Sequence, residues 1–156
     1  MKKKTLLYGI IFLIIDIVIK IIIDYSFNLM ETKPIILNFF SLTKVYNEGA
    51  AWSIFSGQRI ILIIISLIIL VFLFFYENKF IINKRNILAF SLLYGGIVGN
   101  LLNRIFNGYV IDYLDFIIFN YDYPVFNFAD ICIVIGIFLL VIAIYKKEDL
   151  NEDSGR

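Results

Sequence analysis

Two aspartates, Asp112 in "VIDYLDF" and Asp130 in "FNFAD", sit in apolar surroundings, with Asn127 one helical turn before the second. A carboxylate there is costly unless it has a partner or a task. The sequence contains no His. That removes Ser-His-Asp and Cys-His nucleophiles, HExxH zinc sites and imidazole bases together. The single cysteine, Cys132, excludes an intramolecular disulfide or a CxxC centre. It lies two residues past Asp130, on another helix face, and reads as a packing residue. Paired carboxylates remain. Two of them held close cannot both ionise cheaply and so share one proton. The ionised member then deprotonates a water while the protonated one polarises a carbonyl. This is hydrolysis without Ser, His, Cys, metal or cofactor, and none of the last two is expected.

Such a pair needs elements to bring it together. Hydrophobic residues make up 61% of the 156-residue chain and charged ones 17%, against about 25% charged in soluble domains. Four apolar segments, about 5–23, 60–76, 87–106 and 125–145, are each long enough to cross a membrane. The first follows a basic MKKK but is interrupted by Asp16 and Lys20 and lacks a cleavage site, so it reads as a retained anchor.

Lys and Arg flank the spans unequally. Lys2, Lys3 and Lys4, then Lys79, Lys84 and Arg85, then Lys146 and Lys147 mark one side; 107–123 has Asp112, Asp115 and Asp122 and no Lys or Arg. The bias predicts cytoplasmic termini and two outward loops. Asp112 is then expected at the outer end of the third span, and Asp130 about two turns into the fourth, across a short loop. Acids in an outer loop also follow from the charge bias alone, which suffices for Asp122.

The longer outer segment, 24–58, is too apolar for a linker; "IILNFFSLTKVYN" reads as one or two strands. "GAAWSIFSG" spaces Trp52 and Phe55 three apart, as in a short interfacial helix. The polar tail, about 148–156, reads as disordered. The fold expected is a single all-α membrane domain, 1–156, of four transmembrane helices with a small extracytoplasmic β-rich cradle and a short interfacial helix. The net charge of +1 by itself says nothing about nucleic acid, and no nucleic-acid partner is expected.

Polar groups within spans are functional candidates. Asp16 and Lys20 have intrahelical ion-pair spacing; they either neutralise one another, with Lys20 free to snorkel outward, or Asp16 supports the site from behind. Gly95 and Gly99 form a GxxxG, which by itself means close helix packing. Asn100 and Arg104 share a face, and an Arg there needs an anion or carbonyls.

In order, "YNEGAAWSIF", "GGIVGNLLNR", "VIDYLDF" and "FNFAD", with "IDIVIK" in the first span, resemble the motif set of lipoprotein signal peptidase (signal peptidase II) over nearly the whole chain. The resemblance implies a bacterial inner-membrane aspartyl endopeptidase that cuts a prolipoprotein before its diacylglyceryl-modified Cys. It implies Asp112 and Asp130 as the catalytic pair, and Asn47, Gly49, Asn100, Arg104, Asn127, Asp16 and Lys20 as the polar surround. Globomycin-type inhibitors, membrane lipid and the prolipoprotein are the implied partners, and a monomer the expected state. One position departs: the family's GN-x-x-D-R reads Asn103 here, leaving Arg104 to lean on Asp112, Asp115 or the substrate. The competing reading is a small proton-coupled transporter or channel with Asp16, Asp112 and Asp130 as a relay. A scaffold would explain the GxxxG but not the acid, Asn and Arg cluster, and the GxGD of another intramembrane aspartyl protease class is absent.

Overall fold

The computed structural model describes residues 1–49 and 54–149. Four helices are long and apolar enough to cross a membrane: α1 (Lys2–Ser26), α2 (Arg59–Tyr76), α3 (Lys84–Phe106) and α4 (Phe128–Tyr145). They match the four apolar segments to within a few residues. The least apolar of them, α3, is the buried centre, with α1 and α4 packed on it. A helix shielded from lipid by its neighbours can carry the Asn, Ser and Arg side chains that lipid would exclude. In α2, by contrast, only Leu62 and Leu73 are buried.

Close approach of α1 and α3 depends on glycine. A Cβ on Gly95 would meet Phe12 Cβ at 2.7 Å and Gly9 O at 2.8 Å. This is the packing role expected of a GxxxG. Gly99 does something else: a Cβ there would strike the Asp16 carboxylate rather than another backbone. The second glycine makes room for a buried charge.

At the opposite end, Glu77 in the 3-10 turn after α2 (Glu77–Lys79) is 1% exposed and accepts from Thr5 Oγ1 at 2.7 Å and Tyr94 Oη at 2.9 Å. One carboxyl thus fastens the ends of α1 and α2 to α3. The other end of α2 is held by Arg59, which donates to Ile105 O at 2.6 Å. Glu148, in the stretch that reads as the start of a disordered tail, pairs with Arg85 and accepts from Asn83 Nδ2 at 2.8 Å. The tail from 150 onward lies outside the described residues, as does Trp52. Residues 54–57, the described end of the expected interfacial helix, are turns.

The chain leaves the helices at one end to build an antiparallel sheet in the order β1 (Thr32–Ile36), β2 (Phe40–Asn47), β3 (Val110–Ile118), β4 (Tyr121–Asp122). The first two strands fall in the segment read as strands. The last two correct the sequence reading, which made 107–123 a short loop. Residues 110–115 show no period-2 alternation, so no hydropathy signal marks the strand; Phe119 and Asn120, both at positive φ, form the two-residue turn of a hairpin. The acids there read as markers of an outer loop. Lys44 fixes the sheet to α1: its buried ammonium donates to Asp24 O at 2.9 Å and Phe27 O at 3.0 Å, capping the last turn. Ile23, Ile111 and Tyr113 form the apolar seam beneath.

Candidate active site

Asp112 and Asp130 arrive from different kinds of element. Asp112 lies on β3 opposite Val45, with Asn47 two residues further along β2 opposite Val110. Asp130 lies in the first turn of α4, not two turns in. The apolar run beginning at 125 includes residues that are extended, and the helix starts only after Asn127. Apolarity does not mark that boundary; the cap does. Asn127 Oδ1 accepts from Asp130 N, and Asp130 Oδ2 accepts from Asn127 N, each at 3.1 Å. This reciprocal capping box satisfies two amides that a helix start leaves free.

Asn127 joins the two carboxylates. Its Nδ2 donates to Asp112 Oδ1 at 2.6 Å while its backbone serves Asp130. Asn47 Nδ2 donates to the other Asp112 oxygen at 2.8 Å, and Asn100 Nδ2 to Asp130 Oδ1 at 2.7 Å. Each carboxylate therefore receives two donors, and neutral amides supply all four. Burial foremost, then the charge of Asp130, pushes the Asp112 carboxyl up to about 7, against the pull of its Asn127 and Asn47 donors. A carboxyl so held carries a proton near neutrality.

Asp16 and Lys20 lie behind this pair. Lys20 is 2% exposed and does not snorkel; its ammonium contacts Asp16 Oδ2 at 2.8 Å and Asn100 Oδ1 at 2.9 Å. Asp16 Oδ1 accepts from Ala129 N at 3.1 Å, another free amide of the first turn of α4. One geometry holds the ion pair and ties Asp16 to the first turn of α4.

Of the partners open to Arg104, the structure shows a carbonyl. Arg104 donates to Gly49 O at 2.8 Å and makes no hydrogen bond with Asp112 or Asp115. Asp115 instead accepts from Thr43 Oγ1 across the sheet, and Asp122 is exposed. Gly49 N in turn donates to Asn47 Oδ1 at 2.9 Å, linking the Arg104 contact to the Asp112 donor. Asn103 turns away from Arg104 and accepts from Ile111 N at 3.2 Å.

Asn47, Asn100, Arg104, Asp112, Asn127 and Asp130 line one cavity of about 500 Å³. Its remaining wall is apolar, from Tyr123 through Phe126 and along Ile131, Val134 and Ile135 of α4. Gly49, Asp16 and Lys20 act on this wall from behind. Sequence reasoning missed Tyr113, whose Oη accepts from Phe128 N at 3.1 Å and steadies the same helix start. Recognising 110–118 as a strand would have placed it on the opposite face from Asp112.

A cavity with two acids, amide donors and apolar walls suits water attack on a carbonyl of a substrate that is itself partly apolar. The profile of the signal peptidase (SPase) II family matches residues 8–146. A lipoprotein signal peptidase of Staphylococcus haemolyticus is 40% identical, with 97% of this chain and 100% of that protein covered. One from Halothermothrix orenii is 38% identical over 91% of this chain and 95% of its own length. A bacterial membrane enzyme solved by the in meso method at 2.3 Å resolution superposes with a TM-score of 0.80 at 35% identity, over 91% of this chain and 87% of that one. A transporter or channel finds no support in these matches. The chain belongs to the signal peptidase II family, and is a membrane peptidase with four candidate spans and a small antiparallel sheet.

Proposed function

We propose that the protein removes the signal peptide from diacylglyceryl-modified prolipoproteins, cutting before the lipidated Cys with water activated by Asp112 and Asp130. The observation that carries this reading is the joint hold of Asn127 on both carboxylates, at 2.6 Å and 3.1 Å, facing one cavity. Asp130, in a first turn whose dipole favours negative charge, is the base that takes the water proton. Asp112, held up to about 7, gives its proton to the scissile carbonyl oxygen. The tetrahedral intermediate collapses as a proton passes to the leaving amine. Asn47, Asn100 and Asn127 fix the two carboxyls, and Arg104 with Gly49 shapes the mouth through which backbone enters.

The Lys and Arg asymmetry supports cytoplasmic termini in a bacterial inner membrane, with the sheet and site at the outer surface. There the acyl chains of the substrate and its membrane-buried signal helix meet. By residue type, Trp52 and Phe55 suit headgroup level. A monomer suffices, since both acids come from one chain, and a globomycin-type peptide would compete for the same cavity.

Purified protein given a diacylglyceryl-modified prolipoprotein should release its signal peptide, and globomycin should block release. Equal cleavage of the unlipidated precursor would overturn the assigned substrate; no cleavage of either would overturn the activity.

A further inference from the structure

Between α3 and β3 the chain must turn and deliver Asp112 to the cavity. The turn is tied on its backbone: Asn107 N donates to Asn103 O at 2.8 Å and Gly108 N to Arg104 O at 3.2 Å, with Gly108 at φ 91°. One further bond is made by a side chain. Asn103 Oδ1 accepts from the N–H of Ile111, the residue next to Asp112, at 3.2 Å. On one edge β3 pairs with β2; on the other it has no strand until the Leu114–Phe126 bridge and β4 beyond it. The first part of that second edge, where Ile111 lies, has Asn103 in place of a strand. Pairing with β2 sets the register of residues 110–112, and on the second edge the Ile111 N–H is left without a ladder partner.

We propose that Asn103 is a positioning residue for the hydrolysis. Its side-chain carbonyl holds the opening of β3, and so Asp112, at the depth where Asn127 and Asn47 can both reach it. Its neutrality matters as well. The charged groups around this end of the bundle are Asp112 on β3, Asp130 on α4, Arg104 on α3, Asp16 with Lys20 on α1, and Arg59 on α2, whose guanidinium is taken up by Ile105 O. Arg104 already serves Gly49 O. A further carboxylate at 103 would keep the acceptor but add a negative charge beside the two acids, favouring their protonated forms.

The inference rests on the assignment of Asp112 to catalysis, and two substitutions separate it from that assignment. Asn103→Leu keeps the bulk and removes the acceptor. Its kcat should fall about tenfold or more, the scale of a displaced catalytic group, with KM little changed. Asn103→Asp should restore kcat to near the parent value and move the alkaline fall of the pH profile upward, by about half a unit or more. Amide hydrogen exchange supplies a readout independent of activity: Ile111 N–H should be protected in the parent and in Asn103→Asp, and exchange faster in Asn103→Leu. The inference is overturned if Asn103→Leu keeps the parent kcat and Ile111 protection, or if Asn103→Asp is as slow as Asn103→Leu. An unaltered pH profile in Asn103→Asp overturns the role of neutrality. Retained activity in Asp112→Asn would instead sink the catalytic assignment itself.

Discussion

Lys20 Nζ on α1 donates to Asn100 Oδ1 on α3 at 2.9 Å, across 80 positions of sequence. The amide of Asn100 passes on to Asp130 at 2.7 Å, so a buried cation stands two hydrogen bonds from one of the paired acids. Asp16 closes the other side by holding Lys20 and the amide of Ala129. The pair orients α4 at its first turn as much as it neutralises itself.

Breaking this pair on one side leaves a buried charge without a partner. Lys20→Met should lose about 3–5 kcal/mol, the usual cost of orphaning a buried ion. The double variant Asp16→Asn with Lys20→Met should recover much of that. Thermal unfolding in detergent reads the difference; a double variant as unstable as the single one would refute the account.

Asp112→Asn and Asp130→Asn preserve shape and remove one proton role each. Each should slow cleavage of a lipidated substrate by about 10²-fold or more, and the double variant should be scarcely slower. Asp122→Asn, on an exposed position, should be nearly silent. Asp115→Asn weakens a bond to Thr43 in the sheet and should affect stability before rate. Parent-like cleavage by either of the first two would end the proposal.

The pH profile follows from the environment of Asp112. Its carboxyl is raised to about 7, by burial first and then by the Asp130 charge. It must be protonated to act as acid, so kcat/KM should fall as pH rises through about 7. Asn47 donates to this carboxyl and favours its ionised form. Removing that donor in Asn47→Leu should move the fall to higher pH. A downward move would show that Asp112 is not the acid.

Orientation can be read by labelling, since the native Cys132 is buried. A Cys placed at Asn120, in the β3–β4 turn, should react with an impermeant maleimide added outside intact cells. One at Lys84, at the start of α3, should be spared. The reverse result would invert the topology and move the site to the cytoplasmic face.

The spans and the two acids were legible because hydropathy and an isolated carboxylate are local signals. The strand bearing Asp112 was not, because 110–115 carries no period-2 alternation and its acids fit an outer loop by charge. The position of Asp130 was misjudged by about a turn and a half, since Val125 and Phe126 are as apolar as the helix they precede. Lys44 and Tyr113 were out of reach for another reason. Each acts on backbone far away in sequence, Lys44 on Asp24 and Phe27, Tyr113 on Phe128, and such pairs leave no periodic trace. Arg104 was read as needing an anion or carbonyls; it takes the carbonyl of Gly49, a choice that no charge count could make.

The sparse middle of α2 has a consequence for the surrounding lipid. This helix is fastened at its ends, by Arg59 to Ile105 O and by Glu77 to Thr5 and Tyr94, while Ile64, Leu67, Ile68 and Val71 face outward. A helix held this way adjusts its tilt to hydrocarbon thickness at small cost. The Arg59 fastening lands one residue from Arg104, so a change in tilt is delivered to the rim of the cavity. A helix that lends no lining residue to the cavity is thus joined to its rim through one side chain.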